Sequence, residues 1–171
     1  MRTGHQAPGS DDHQDFFISE VIGRKIYDNE GRKVGRLQDL VTIWISGYPE
    51  VVGLKIASTE EIIPLQYIAE FGPSAIRLKT PLTPDQHRKV ADNEIFVNRW
   101  LMDKQIVDIQ GAKVERVNDI QMRWHHLDGK PRLTLMAVDI GLRGIVRRLG
   151  LKPLAPRAHE KLLQWDHFKP L

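Results

Sequence analysis

The sequence predicts an all-β protein: two small antiparallel β-barrels in tandem, with a short helical linker between them and a helical insertion in the second. Three observations predict it. The stretch "YDNEGRKVGRLQDL", Tyr27 to Leu40, recurs eighty positions later as "VDIQGAKVERVNDI", Val107 to Ile120. Each copy opens on an Asp-x-x-Gly loop between β-favouring runs, where Asp can accept from backbone N–H groups and Gly supplies a positive φ. Each then runs into a long strand whose alternation slips phase near Arg36–Asp39, as strands do when a bulge bends them into a small barrel.

The repeat holds position by position. Asp28/Asp108, Gly31/Gly111, Lys33/Lys113, Val34/Val114, Arg36/Arg116 and Asp39/Asp119 are identical across the offset, as are Ile26/Ile106 and Trp44/Trp124 on either side. The long strands are expected at Lys33–Ile45 and Lys113–His126. "SGYP" (Ser46–Pro49) and "LDGK" (Leu127–Lys130) then turn the chain, Asp128-Gly129 being a strong two-residue hairpin signal. The returning strands are Val51–Ala57 and Leu133–Ile140.

Beyond this point the copies diverge and rejoin. In the first, Glu61–Phe71 gives a short strand and a turn, and Ser74–Thr80 a closing strand. In the second, the counterpart is "KLLQWDHFKPL" (Lys161–Leu171), now at an offset of one hundred, so about twenty residues stand inserted after Ile140. The chain stops where a closing strand of the second unit would begin. Either that strand has no counterpart, or the chain is a fragment of something longer. The insertion reads as a helix, with Leu142, Ile145, Val146 and Leu149 on one face, Arg143, Arg147 and Arg148 on the other, and Gly150 as its stop. Between the units, Leu82–Asn93 reads as a short helix with Thr83 as N-cap and Pro84 at the first helical position. The expected organisation is a tail over 1–15, a first unit over 16–81, a linker over 82–97, and a second unit over 98–171 with its insertion at 141–158.

Composition limits the function classes. Of 171 residues, 41% are hydrophobic and 27% charged, which is ordinary for a globular protein. No cysteine is present, so there is no disulfide framework and no thiolate metal site. No apolar run reaches the roughly 18 residues of a membrane helix, and a soluble cytoplasmic protein is the expectation. The net charge of +3 is local: residues 141–158 carry Arg143, Arg147, Arg148, Lys152 and Arg157 and no acid, leaving the remainder at −2.

The motifs "GRKVGRLQDL" and "GAKVERVNDI" resemble the PRC-barrel family, a small antiparallel barrel found in the photosynthetic reaction-centre H subunit and in the ribosome maturation factor RimM. The runs "DKQIVDIQGAKVERVNDIQ", "AVDIGLRGIVRRLGL" and "LLQWDHFKPL" further resemble bacterial proteins that carry two PRC-barrel units ahead of an MgtE-type intracellular N domain and CBS domains. The likeness spans residues 17–171. It implies a magnesium-transporter-related context, with the rest of a parent chain or another protein as partner, and placement in the cytoplasm or at the cytoplasmic face of the membrane. Departures are local: "IIPLQ" (Ile62–Gln66) and "LLQWD" (Leu162–Asp166) each keep half of an Ile-Pro-Trp pattern, and Glu115 stands where the first copy has Gly35.

No catalytic constellation is written in the chain. There is no P-loop and no G-x-G-x-x-G. His5, His13, His87, His125, His126, His159 and His167 form none of the metal-binding spacings, and adjacent residues on a strand, such as His125 and His126, point to opposite faces. The recurring acids suggest either metal or acid–base work, or structural roles: Asp28 and Asp108 shaping turns, Asp39 and Asp119 tying off backbone donors at the bend. Trp44, Trp124, Tyr27 and Tyr48 are either a base-stacking platform or packing. The basic insertion is either a solvated face or a docking site for an acidic partner, an anionic lipid surface or the parent chain. The sequence thus points to a non-enzymatic docking or regulatory module without cofactor, with Arg143, Arg147, Arg148, Lys152 and Arg157 as partner-binding candidates. Asp28, Gly31, Asp108 and Gly111 are its turn residues. The alternative is an RNA- or ribosome-associated factor using the same basic segment, and a third reading is direct Mg²⁺ sensing by clustered carboxylates.

Overall fold

The computed structural model describes residues 13–44, 47–150 and 161–170. The chain begins with β1 (Gln14–Phe17) and the one-turn helix α1 (Ile18–Val21), followed by β2 (Lys25–Tyr27), the long β3 (Lys33–Ile43) and β4 (Glu50–Ile56). β5 (Ile62–Pro64), a 3-10 turn (Leu65–Tyr67), β6 (Ile68–Phe71) and β7 (Ile76–Leu78) close this half. The order then recurs as β8 (Glu94–Phe96), α2 (Val97–Leu101), β9 (Gln105–Asp108), β10 (Lys113–Arg116), β11 (Asp119–Leu127) and β12 (Lys130–Asp139). After the added helix α3 (Leu142–Arg148) come β13 (Leu162–Gln164), a 3-10 turn (Trp165–His167) and β14 (Phe168–Pro170).

The bend differs between the copies. β3 passes through it with a register shift between Leu37 and Asp39. In the second half the expected continuous strand is interrupted between Arg116 and Asp119. The corner backbone is nonetheless fastened alike: Gly23 N–H donates to the Leu37 carbonyl at 2.8 Å and Asp103 N–H to Val117 at 3.0 Å. Gly23 and Asp103 both sit at positive φ, +79° and +63°. That conformation is free for glycine and tolerated by aspartate better than by most residues.

The strands form one eleven-stranded sheet, ordered β1-β11-β12-β4-β3-β2-β7-β6 with β13, β5 and β8 paired alongside, and a three-stranded sheet, β10-β9-β14. The β-rich domain is a curled half-barrel with this second sheet and short helices beside it. The two halves exchange strands. β1 lies antiparallel on β11, with Phe16 opposite Met122, and β8 lies antiparallel on β3, with Phe96 opposite Val41. The halves also meet where Thr134 of β12 pairs with Glu50 of β4, supported by the Arg132–Glu50 ion pair.

The hydrophobic core is correspondingly shared. Ile18, Leu40, Leu54 and Phe71 belong to the same buried cluster as Ile106, Val117, Ile120 and Leu135. The rings of Phe16 and Phe71 lie 5.7 Å apart, and Phe71 lies 6.2 Å from Trp124. Burial of each such side chain stabilises the fold by about 1.5–3 kcal/mol, and the cluster draws these side chains from both halves.

Two sequence expectations change. The helix expected over Leu82–Asn93 is one 3-10 turn, Pro84–Gln86. Just beyond it the backbone becomes extended, because Arg88 pairs with Ile62 through hydrogen bonds of 2.8 and 3.0 Å in both directions. Strand pairing takes the donors that a helix would have used. The expected tail also ends sooner, since β1 starts at Gln14.

Close packing sets one sharp requirement. A Cβ added at Gly35 would stand 2.4 Å from the Ile56 Cγ2. Gly35→Ala is therefore expected to destabilise the protein by about 1–3 kcal/mol, as overpacking does, read as a lower urea midpoint. An unchanged midpoint would show that Ile56 yields without cost.

Candidate functional site

The carboxylates that recur in the sequence are taken up by backbone. The Asp28 Oδ1 accepts from the N–H groups of Glu30 and Arg32, both at 2.9 Å, and its Oδ2 accepts from Arg32 Nε. The Asp108 Oδ1 accepts from Gln110 and Gly111, both at 3.0 Å. The glycines of the two loops differ in duty. Gly31 has φ +80°, but in the second loop the positive φ falls on Ala112, at +48°. Gly111 is needed there for space, because a Cβ would lie 2.6 Å from Asp108 Oδ2.

Asp39 and Asp119 each cap the short helix of the opposite half. Asp39 accepts from Asn98 N–H at 2.7 Å and Arg99 N–H at 3.0 Å, at the start of α2, and from its neighbour Leu40 at 2.7 Å. Asp119 accepts from Ser19 N–H at 3.2 Å in α1, from the Ser19 hydroxyl at 2.5 Å, and from Ile120 N–H at 2.9 Å. A carboxylate at a helix start satisfies donors that have no intrahelical acceptor. The exchange of β1 and β8 carries each helix to the Asp of the other half.

Burial pushes the Asp39 carboxyl above its ordinary value, against the three backbone N–H groups and Arg99, which lower it. A raised folded value means that Asp39 supports the fold less when ionised than when protonated. Its contribution is favourable below the ordinary 3.8 and is lost as pH rises through the folded value. Asp39→Asn is therefore expected to lose less stability than the parent between about pH 4 and pH 7, measured by urea denaturation at both. Parallel curves would contradict the assignment.

The insertion helix is anchored by an arginine. Arg147, with a side chain 10% exposed, donates from Nε to Asp119 Oδ2 at 2.8 Å and from Nη2 to Asp139 Oδ2 at 2.7 Å. Its guanidinium carbon stands 3.3 Å from the Phe17 ring centroid, a cation–π contact. Asp119 and Asp139 are fully buried, and burial raises the Asp139 carboxyl in spite of Gly141 N–H and Arg147. Gly144 lets α3 come down onto this cluster, since a Cβ would lie 3.0 Å from both Asn118 Cβ and Asp139 Oδ2.

This anchoring turns the helix over relative to expectation. Leu142 and Leu149 are 70% and 67% exposed, and Ile145 is exposed with them, whereas the heptad-like stripe they form reads as an inward face. The reason is electrostatic: two buried carboxylates require a cation, and α3 supplies it. Of the five partner-binding candidates, Arg147 is thus internal, and Arg148 makes a two-pronged contact with Asp103, at 2.8 and 3.0 Å, beside Arg116. The side chain of Arg143 and the whole of Lys152 and Arg157 lie outside the described residues.

The aromatic candidates mainly join the halves. Trp124 is buried, and the ring of His126 meets it edge-on at 5.5 Å. Trp44 packs edge-on against Trp165 at 5.6 Å, and the Tyr48 hydroxyl donates to Gln164 Oε1 at 2.9 Å. Among the described residues no group of three or more His, Asp or Glu could hold a metal ion, and no helix is long and apolar enough to cross a membrane.

One concave feature escapes the sequence. A cleft of about 680 Å³ opens where α1, the β2 and β3 strands, the loop before β7 and the end of α3 converge. Arg24, Lys25, Arg36, Arg77, Arg147 and Arg148 line it, with Glu20 as the one acid among its described lining residues. Arg36 stands out in the sequence only as a repeat position, and Arg147 and Arg148 only as cations of the insertion, while Arg24, Lys25 and Arg77 lie in segments that no motif marks.

Comparison with known proteins agrees with the first half of the chain. Residues 13–81 match the PRC-barrel domain. No curated protein matches the chain. The matched span takes in the Asp28 turn, the bent β3 and the closing strand β7, and residues 13–81 are accordingly a PRC-barrel domain.

Proposed function

We propose that the chain is a non-enzymatic docking and regulatory module of two PRC-type units, from the cytosolic region of a magnesium-transporter-related protein. The PRC-barrel match over residues 13–81 supports the interaction role. The recurrence of the same element order from β8 onward supports reading the second half of the chain, which contains residues 98–171, as a second unit of the same kind. One observation carries the non-enzymatic reading. The four recurring carboxylates, those a duplicated active site would have kept, receive hydrogen bonds from backbone N–H groups in turns and helix starts. A carboxylate so held serves shape and is poorly placed for proton transfer.

Purified protein is expected to turn over neither nucleotides nor simple phosphate esters. Turnover above background that vanishes on substitution of a recurring Asp would overturn the reading. The magnesium-transporter context is tested in the gene: an MgtE-type N domain and CBS pair encoded directly downstream supports it, and an unrelated neighbour removes it. The RNA reading has weaker support, because Arg147 and Arg148, two of the cations it relies on, already face Asp119, Asp139 and Asp103. An RNA binder would lose affinity steeply with salt, and no RNA binding is expected at physiological salt.

A further inference from the structure

We infer that the basic cleft beside α1 is the docking groove for an acidic segment of a partner protein, a stretch of extended chain with several Asp or Glu side chains. The inference rests on the docking reading and names the chemistry of its partner. Six cations and one acid line a cleft of about 680 Å³ among the described residues. Three of the six keep their charge available. Arg24 Nε donates to the Glu20 carbonyl at 2.8 Å and Arg36 Nη1 to the Gly23 carbonyl at 2.9 Å, neutral acceptors that orient a guanidinium without neutralising it. Lys25 has no ion pair among the described residues. Arg77 and Arg148 face Glu70 and Asp103, and Arg147 faces Asp119 and Asp139, so these three contribute less field.

The distribution of charge selects the occupant. A single phosphate is held by converging donors, usually with backbone N–H groups in a nest. Here the Gly23 and Arg24 N–H groups already donate to the Leu37 and Val21 carbonyls. The free cations instead come from the start of β2 and the middle of β3, and they are oriented guanidinium forks and an ammonium suited to successive carboxylates. A single-stranded RNA would need faces for base stacking, and Tyr27 is the one aromatic among the described lining residues.

The test is fluorescence anisotropy with a short labelled Glu/Ser peptide on the full chain, beside Lys/Ser and Leu/Ser peptides, inorganic phosphate as competitor, a single-stranded RNA and phosphatidylglycerol vesicles. Binding of the Glu/Ser peptide is expected, falling with salt and weakened by about tenfold or more in Arg24→Glu/Arg36→Glu, as charge reversal at complementary surfaces does. Lys25→Glu, judged by circular dichroism alongside, gives the same direction should the double variant misfold. Equal peptide binding in these variants, or preferential binding of phosphate, RNA or vesicles, would overturn the inference. If the Lys/Ser or Leu/Ser peptide alone binds, the groove assignment fails while the docking reading stands. If RNA binds and no peptide does, both fail.

Discussion

Arg147→Met is expected to destabilise the protein by about 3–5 kcal/mol, the usual consequence of removing one partner from a buried ionic cluster. Asp119 and Asp139 are fully buried and share this one guanidinium, at 2.8 and 2.7 Å. Methionine keeps most of the volume over Phe17 but removes the cation that opposes the effect of burial on the Asp139 carboxyl, which burial already raises. The loss should appear as a lower urea midpoint and grow toward higher pH. Adding Asp119→Asn and Asp139→Asn to the same chain is expected to recover a large part of it, because a neutral cluster no longer needs the cation. A loss below about 1 kcal/mol, the scale of an exposed pair, would show that Arg147 is not the counter-charge.

Asp39→Ala is expected to cost about 2 kcal/mol and to loosen α2 selectively. The substitution leaves the N–H groups of Leu40, Asn98 and Arg99 without the carboxylate they now share. Each buried donor left without an acceptor costs about 1–3 kcal/mol, and water reaching the helix start recovers part of that. Asp39 and α2 belong to opposite halves, so the effect reports on how they are held together. Amide exchange at Asn98 and Arg99 should accelerate well beyond that at Ser19, whose acceptor is Asp119. Equal acceleration at both helices would mean that the substitution acts through global stability, and no acceleration would remove Asp39 from the interface.

The contrast between these two sites shows what could be read in advance. The recurrence of Asp39 and Asp119 was plain in the sequence, and so was their place at a bend with loose backbone donors. Their partners, 59 and 100 positions away, were not. Arg147 read as one of three cations on the outward face of a helix. Nothing local distinguished it from Arg143, because the acids it meets lie on β11 and β12. The basic cleft was missed for the same reason: Arg24, Lys25, Arg36 and Arg77 are scattered in sequence and converge only when β7 pairs with β2 through Arg77 and Tyr27.

The sequence by itself determined what depends on neighbours along the chain. The Asp-x-x-Gly turns, the hairpin at Asp128-Gly129, the bent strands and the helix after Gly141 follow from turn chemistry and apolar spacing. Only the tertiary structure decided the exchange of β1 and β8, the inward turn of Arg147 and the straightening of the segment after Gln86. Alternation marks which side of a strand is buried but leaves open which edge it pairs with. That choice rests on the shared core and on buried charges finding their counter-charges, and both exist only once the halves have met.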